Sequence, residues 1–275
     1  MTLTLVNGEP AESIPADDRG LNYGDGVFRT LAIRAGCAAM WRQHYAKLAS
    51  DCTALRIAAP AESDLLSDVA HISSRMPDCA LRITVTRGSG GRGYAMPATV
   101  SPRRIVSASS LPDYPEQFAI SGVNVRYCEQ RLATQPSLAG IKHLNRLENV
   151  LARAEWNDPE IAEGLLCDSD DNVIEGTRCN LFLVEGGGLV TPDLSRCGVA
   201  GVMRDAVIML ASQHGMPCRI ESVSRSRMAA ASEVMLVNSI IGIWPVARLE
   251  RHEWRQFPVA MRLQQWLDAY CNATD

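Results

Sequence analysis

Lysine is almost missing from this chain of 275 residues. Lys47 and Lys142 are the only lysines among its 27 basic residues, and all the others are arginines. A reaction that requires a side-chain amine, such as attack on a carbonyl carbon, therefore has only two candidates. This scarcity narrows the search for such chemistry before any motif is considered.

The sequence also lacks an excess of charge of one sign and a long apolar run. The formal net charge is −4, so no overall positive field favours nucleic acid. The most apolar stretch, residues 234–246, is interrupted by Asn238, Gly242 and Pro245 and is shorter than the ~18 residues of a membrane span. The first ten residues lack the basic and apolar regions of a signal peptide, so we expect a cytoplasmic protein without a membrane segment.

Metal-binding patterns are missing as well. The nine cysteines include no Cys-x-x-Cys pair, their spacing is irregular, and the five histidines are not grouped. We therefore predict neither a metal site nor a disulfide framework. Scattered cysteines of this kind are typical of a reducing compartment, where they act as small buried apolar residues.

The spacing of apolar residues predicts a mixed α/β (α+β) chain with two domains. Residues 111–118 contain two prolines without apolar periodicity, so they are predicted to link an N-terminal domain (1–110) to a C-terminal domain (119–275). Strands are predicted at 3–6, 26–33, 80–86, 104–108, 119–127, 165–167, 172–174, 180–184 and 235–237. Helices are predicted at 41–57, 63–75, 143–155, 202–214 and 258–270.

Two stretches match known binding motifs only in part. Residues 88–93 fit the Gly-x-Gly-x-x-Gly fingerprint and follow a predicted strand, but Pro97 and Pro102 oppose the helix that a dinucleotide site requires. Residues 168–172 are acidic like a calcium loop, but Cys179 stands where the bidentate glutamate belongs. Neither a dinucleotide site nor a calcium site is predicted.

Three other features point to a candidate site. Lys142 lies between Gly140 and a predicted amphipathic helix, where a lysine can point into a cleft while the helix packs behind it. Glu175 ends a short predicted strand. The glycine-bearing loop 198–201 runs into the helix that begins at Val202, and such helix N-termini attract anions such as phosphate. Taken singly, a surface lysine and a solvated glutamate in a β-turn would explain the first two features equally well.

The stretch from residue 175 to residue 204 resembles the signature of the class IV aminotransferases, which are fold type IV pyridoxal-phosphate enzymes. That signature is a glutamate, then an Asn-apolar-aromatic triplet, an apolar-x-Thr triplet and an apolar-x-Gly-apolar-x-basic segment. Here the positions are Glu175, residues 180–182, residues 189–191 and residues 199–204. The resemblance implies two α/β domains with the cofactor in the cleft between them, and a homodimer.

The resemblance also implies pyridoxal 5′-phosphate as the cofactor. It selects Lys142 over Lys47 as the lysine that holds the cofactor and exchanges protons with the substrate. Glu175 would lie beside the pyridine nitrogen and keep it protonated, because a carboxylate favours a nearby cation. The phosphate would be bound by Gly201, Val202, Ser239 and Ile240.

Lys47 has a predicted role of its own. The family carries an arginine in a His-x-x-Arg-Leu segment that reaches the phosphate, and residues 44–48 place Lys47 in that position. A lysine would contact the phosphate as a point charge rather than as a bidentate fork. The alternative is a solvated residue on the surface of a helix.

Within the family, residues 87–94, 138–148 and 238–246 resemble the lyases that split aminodeoxychorismate into 4-aminobenzoate and pyruvate. The implied substrate carries two carboxylates, for which Arg92 and Arg29 are candidate partners. The alternatives are a branched-chain or D-amino-acid aminotransferase of the same fold and a non-catalytic relative. Leu147 disfavours the branched-chain enzymes, which usually carry a tyrosine five residues after the lysine.

Overall fold

The computed structural model describes residues 3–274, and their side chains as far as residue 271. The chain forms two compact units. Unit 1 contains residues 3–113 together with Ile141–Asn145, and unit 2 contains Tyr114–Gly140 and Arg146–Ala273. The segment around Lys142 is thus part of unit 1, while the domain boundaries at 110 and 119 stay a prediction.

Unit 1 is an antiparallel sheet with two long helices. The strand order is β2-β1-β6-β5-β3-β4. In β5 the buried residues alternate along the strand, because one face of the sheet packs against the helices. The elements are β1 (Leu3–Val6), β2 (Glu9–Pro10), α1 (Arg19–Tyr23), β3 (Gly26–Arg34), β4 (Cys37–Ala38), α2 (Trp41–Ala54), α3 (Glu62–Ser73), β5 (Cys79–Thr86) and β6 (Arg103–Ser109).

Unit 2 contains a nine-stranded mixed sheet. The main path has the order β12-β11-β10-β13-β14-β7-β8-β9, and β15 pairs with β14. Strands β7 and β8 are parallel, as are β14 and β7, and β11 and β12. The elements are α4 (Gln117–Ile120), β7 (Val123–Arg131), α5 (Leu147–Arg153), β8 (Ile161–Cys167), β9 (Val173–Gly176), β10 (Asn180–Glu185), β11 (Gly188–Pro192), α6 (Val202–Gln213), β12 (Cys218–Glu221), α7 (Arg225–Ala230), β13 (Glu233–Asn238), β14 (Gly242–Leu249), β15 (His252–Glu253) and α8 (Pro258–Thr274).

The α+β class and most of the predicted elements are confirmed, but three predictions begin four residues from the observed start. The strand predicted at 165–167 starts at Ile161. The helix predicted at 143–155 starts only at Leu147, because residues 141–145 are held in extended form along β3. The strand predicted at 119–127 starts at Val123, because Gln117–Ile120 form a helix and Gly122, at φ +82°, turns the chain. No helix of residues 3–274 is long and apolar enough to cross a membrane.

Strand β14 was not predicted. Its residue Pro245 has no N–H to donate, and prolines are rare inside sheets. The structure tolerates Pro245 because it pairs with Met235 of β13 on one side, while pairing with β7 begins only at the following residue, Val246.

Gly164 on β8 allows the close packing of this part of unit 2. An added Cβ would lie 2.5 Å from the Cys128 Sγ atom and 2.7 Å from the ring of Trp156. Neither neighbour can move easily, because both are buried. We therefore expect Gly164→Ala to lower the free energy of unfolding by about 1–3 kcal/mol in urea denaturation.

Gly91→Ala is the matched control for this substitution. An added Cβ there would meet no described atom within 4 Å. Equal stabilities of the two variants would contradict the packing role of Gly164.

Candidate functional site

The backbone of Lys142 is fixed on both sides of the residue. Its N–H donates to Asp51 Oδ2 on α2 over 3.1 Å, and its carbonyl accepts from the Phe28 N–H over 2.9 Å. The Leu144 N–H donates to the carbonyl of Gly26, so the segment continues as an added strand along β3. The Lys142 Nζ atom lies 4.8 Å from the centre of the Phe28 ring. The amine therefore projects from a backbone that has little freedom to move.

Asp51 binds a second partner. Its Oδ2 atom also accepts from the guanidinium of Arg29, and the two side chains form a buried ion pair. Arg29 is 2% exposed, and the carboxylate of Asp51 compensates its buried positive charge. The predicted contact between Arg29 and a substrate carboxylate would require this ion pair to open.

His44 lies on the buried face of α2 near these charges. It is 2% exposed, and neither ring nitrogen has a hydrogen-bond partner among the described residues. Burial, helped by the positive charges of Arg29 and Lys142, lowers the pKa of His44 to about 3. The imidazole is therefore neutral at physiological pH. Lys47 is half-buried and follows three residues later on the same helix, so it shares this side of α2.

Arg92 lies in an exposed loop that is anchored from α1. The Arg19 guanidinium donates to the carbonyl of Gly93 over 3.1 Å, and the Tyr23 hydroxyl accepts from the Gly93 N–H over 3.1 Å. The rings of Tyr23 and Tyr94 pack edge to face with their centres 5.5 Å apart. The backbone around Arg92 is thereby tied down while its side chain remains exposed to solvent.

In unit 2, Glu175 is buried next to the loop that leads into α6. Its Oε2 atom accepts from the Val199 N–H over 2.8 Å. Gly198, at φ +84°, turns the chain at this point, and a Cβ there would lie 2.8 Å from Ile174. A carboxylate in such a place is available to an organic cation or a protonated ring nitrogen, because burial strengthens charge pairing.

The start of α6 is built around Asn180. The Asn180 side chain donates to the Val199 carbonyl over 2.7 Å and accepts from the Gly201 N–H over 3.1 Å. A Cβ on Gly201 would lie 2.4 Å from Asn180 Oδ1, so this position requires glycine. The N-cap residue of α6 is Gly201, which has no side chain to cap the first turn that begins at Val202. The first N–H groups of a helix have no partner within the helix, and such groups can bind an anion.

Ser239 and Ile240 lie in the turn between β13 and β14. Asn238 Oδ1 accepts from the Ile240 N–H over 2.8 Å and from the Ile241 N–H over 3.0 Å. A phosphate would therefore share the Ile240 N–H with Asn238 or bind mainly through Ser239. Sequence reasoning missed Asn238, although an Asn before a turn is a known signal for such a bond.

The structure thus brings together Lys142, Arg29 and His44 within unit 1. Within unit 2 it brings Glu175 next to the loop that ends at Gly201. Asp51 was also missed by sequence reasoning, although its position was informative. It lies on the apolar face of a helix, three residues after Leu48, where a carboxylate must find a partner.

A sequence model of the family described as "Amino-transferase class IV" matches residues 26–249. The chain belongs to the class IV aminotransferase family.

Three relatives illustrate the range of this family. The aminodeoxychorismate lyase of Vibrio harveyi is 34% identical, over 92% of this chain and 94% of its own. The crystal structure of 4-amino-4-deoxychorismate lyase from Pseudomonas aeruginosa is 48% identical, with a TM-score of 0.92, over 97% of this chain and 98% of its own. The D-alanine aminotransferase of Bacillus licheniformis is 26% identical, over 90% of this chain and 88% of its own.

Pyridoxal 5′-phosphate is the cofactor of this class IV chain. The residues present fit the group. Lys142 would supply an amine on a fixed backbone, Glu175 would supply a buried carboxylate, and the start of α6 would supply N–H donors for a phosphate. No group of three or more potential metal ligands occurs among the residues that the structure describes.

The buried, neutral His44 makes stability depend on pH. The unfolded chain binds a proton at its histidine near pH ~6.5, whereas the folded chain does so only near the pKa of about 3. Between these values the unfolded state holds more protons, so stability falls as the pH falls. We expect a loss of about 2 kcal/mol in the free energy of unfolding between pH 7 and pH 5 from this residue.

Urea denaturation at both pH values checks this expectation. His44→Gln carries a neutral side chain at every pH, so the variant should lose that part of the pH dependence. His71→Gln on α3 is the control and should keep the wild-type difference. A His44→Gln variant with the wild-type pH dependence would show that His44 is not buried in its neutral form.

Proposed function

We propose that the chain is a pyridoxal-phosphate-dependent lyase that converts 4-amino-4-deoxychorismate into 4-aminobenzoate and pyruvate, a step of folate synthesis. The observation that carries the proposal is the likeness of nearly the whole chain to two lyases of this name, at 34% and 48% identity. The geometry of both units supports the proposal, because each supplies residues that this chemistry requires.

The cofactor supplies an electron sink for the carbon that bears the substrate amine. Lys142 is proposed to remove the proton from that carbon. The bond between the ring carbon and the enolpyruvyl oxygen breaks, and the ring becomes aromatic. Lys142 returns one proton to the methylene carbon of the departing group, which leaves as pyruvate. The reaction is balanced without water or an oxidant, so one mobile proton carrier suffices.

Glu175 and the loops of unit 2 are proposed to hold the cofactor. The buried carboxylate of Glu175 favours a protonated pyridine nitrogen, because an opposite charge in a poorly solvated place stabilises the cation. Electrons are then drawn more strongly from the substrate. The phosphate is proposed to bind Gly201, Val202, Ser239, Ile240 and Lys47.

The substrate carboxylates are assigned to arginines. Arg92 is the stronger candidate, because its side chain is exposed on an anchored loop. Arg29 would have to exchange its buried ion pair with Asp51 for the substrate. We therefore propose Arg92 as the first carboxylate contact and Arg29 as a second only if that ion pair opens.

A class IV aminotransferase is the second candidate. The observation that favours it is the likeness to a D-alanine aminotransferase over 90% of this chain. Both reactions use the same lysine and cofactor, but an aminotransferase requires an oxo acid to regenerate the cofactor. The two functions can therefore be separated by omitting that acceptor.

We expect the wild-type protein to release 4-aminobenzoate from aminodeoxychorismate over many turnovers when no oxo acid is present. Lys142→Ala should lower the turnover number at least about a hundredfold, because it removes the proton carrier. Added ethylamine should restore part of the rate, which would show that the variant is folded. Near-wild-type activity of Lys142→Ala, or a wild type that stops after one turnover, would contradict the proposal.

We also propose that the protein is a homodimer and that it is cytoplasmic. The short helix α5 exposes an apolar face, in which Leu147 is 69%, Val150 60% and Leu151 51% exposed. An exposed apolar patch of this kind favours a protein interface. The cytoplasm suits the eight cysteines from Cys37 to Cys218, which are free thiols.

We expect Leu151→Glu to shift the protein from dimer to monomer in analytical ultracentrifugation, because a charge would be buried at the interface. Leu66→Glu is the control, since Leu66 is also an exposed leucine on a helix, at 44%. A monomeric wild type would refute the dimer. A Leu151→Glu dimer as stable as the control would exclude α5 from the interface.

A further inference from the structure

Glu163 on β8 is a buried carboxylate that has no part in the chemistry described so far. It is 1% exposed, yet both of its oxygen atoms accept hydrogen bonds. All but one of its donors belong to the turn between β9 and β10, residues 177–179. The donors are the Gly164 N–H, the Thr177 N–H, the Thr177 hydroxyl, the Arg178 guanidinium and the Cys179 thiol.

These bonds hold a complete turn against β8. The Cys179 thiol lies 3.2 Å from Glu163 Oε2, and Arg178 Nε also lies 3.2 Å from that oxygen. Burial, together with the negative charge of Glu163, raises the pKa of the Cys179 thiol well above its usual value. The thiol therefore remains protonated and donates to the carboxylate.

Asn238, the last residue of β13, also binds the 177–179 turn. Its Nδ2 atom donates to the Arg178 carbonyl and approaches Cys179 Sγ, both over 3.3 Å. Its Oδ1 atom accepts from the N–H groups of Ile240 and Ile241. One amide group thus joins the 177–179 turn to the turn that contains Ser239.

The contacts form one continuous path inside unit 2. The path runs from Glu163 through the 177–179 turn to Asn238 and then to the turn at residues 239–241. A glutamine at position 163 would present an N–H₂ group to donors that require an acceptor, so the 177–179 turn would have to shift. Asn238 would then lose its contacts with the Arg178 carbonyl and the Cys179 sulfur, which align its amide group.

We propose that Glu163 and Asn238 are positioning residues that fix the 239–241 turn and so orient Ser239 and Ile240 toward the cofactor phosphate. This inference rests on the proposed function, because the phosphate contacts of that turn belong to it. Neither Glu163 nor Asn238 is among the residues proposed to contact the cofactor. The path that they form ends at the 239–241 turn, so we expect their main effect at the phosphate end of the cofactor.

A comparison of two ligands tests the proposal. Pyridoxal 5′-phosphate and pyridoxal, which lacks the phosphate, are titrated into the full chain after the cofactor has been removed. We expect Glu163→Gln and Asn238→Ala to weaken binding of the phosphorylated ligand about tenfold to a hundredfold, the worth of a hydrogen bond to a charged group. Binding of pyridoxal should stay as in the wild type.

Glu233→Gln is the matched control. Glu233 is also a buried glutamate of unit 2, and it accepts from the N–H groups of Val259 and Ala260 at the start of α8, away from the described path. Glu233→Gln should not weaken the binding of pyridoxal 5′-phosphate more than the binding of pyridoxal. The ³¹P resonance of the bound cofactor should also shift in Glu163→Gln and Asn238→Ala, but not in Glu233→Gln.

Three results would overturn the inference. These are equal losses for the two ligands, the same selective loss in Glu233→Gln, and unchanged binding in Asn238→Ala. Asn238→Ala keeps the test valid if Glu163→Gln does not fold. Asn238 is only half-buried, so we expect its substitution to leave the fold intact. A wild type that binds neither ligand would instead refute the proposed function, so the two failures can be distinguished.

Discussion

The position of the Lys142 backbone depends on one buried carboxylate, Asp51. Asp51 Oδ2 accepts both from the Arg29 guanidinium and from the backbone N–H of Lys142. A guanidinium that is 2% exposed requires a partner of opposite charge, and this ion pair keeps the Asp51 side chain in place. The same oxygen can then fix the backbone of the lysine. The segment Ile141–Asn145 belongs to unit 1 partly for this reason.

Other buried carboxylates of the chain also accept hydrogen bonds that fix a loop or the start of a helix. Glu175 binds the N–H of Val199 before α6, Glu163 binds the 177–179 turn, and Glu233 binds the start of α8. In each case an acidic side chain on a strand satisfies donors of a loop or a helix start that would otherwise be buried without acceptors. The loops of unit 2 are therefore held by side chains from its sheet. A loop fixed in this way can bind a small molecule without first having to be ordered.

The sequence predicted those parts of the fold that are fixed by local pattern. The alternation in β5 and the apolar face of α6 identify both elements without any knowledge of their neighbours. The extended form of residues 141–145 could not be predicted, because it depends on β3, more than a hundred residues earlier in the chain. A helical pattern that begins at Leu144 continues into α5, and only the pairing with β3 delays the start of the helix.

The site residues stay predictions, and the sequence selects them for the same reason. The resemblance to the family selects Lys142, Glu175 and the start of α6, because a spacing along the chain carries that information. The partners that hold these residues, such as Asp51 and Asn238, act across long separations in sequence and match no local motif. Their polar character is visible in the sequence, but the identity of the group that each one binds is not.

The residues shared by the family cannot by themselves decide between elimination and amino transfer. Both reactions begin with the loss of a proton from the carbon that bears the amine, and the role proposed for Lys142 is the same in either. The outcome depends on whether the bound substrate carries a leaving group at a suitable position, so the choice lies with the residues that select the substrate. In unit 1 this points to the loop of Arg92, which Arg19 and Tyr23 anchor through Gly93. A loop that is fixed at its backbone and exposed at its arginine can distinguish a dicarboxylate from an ordinary amino acid, whereas the lysine proposed as the proton carrier is the same for both reactions.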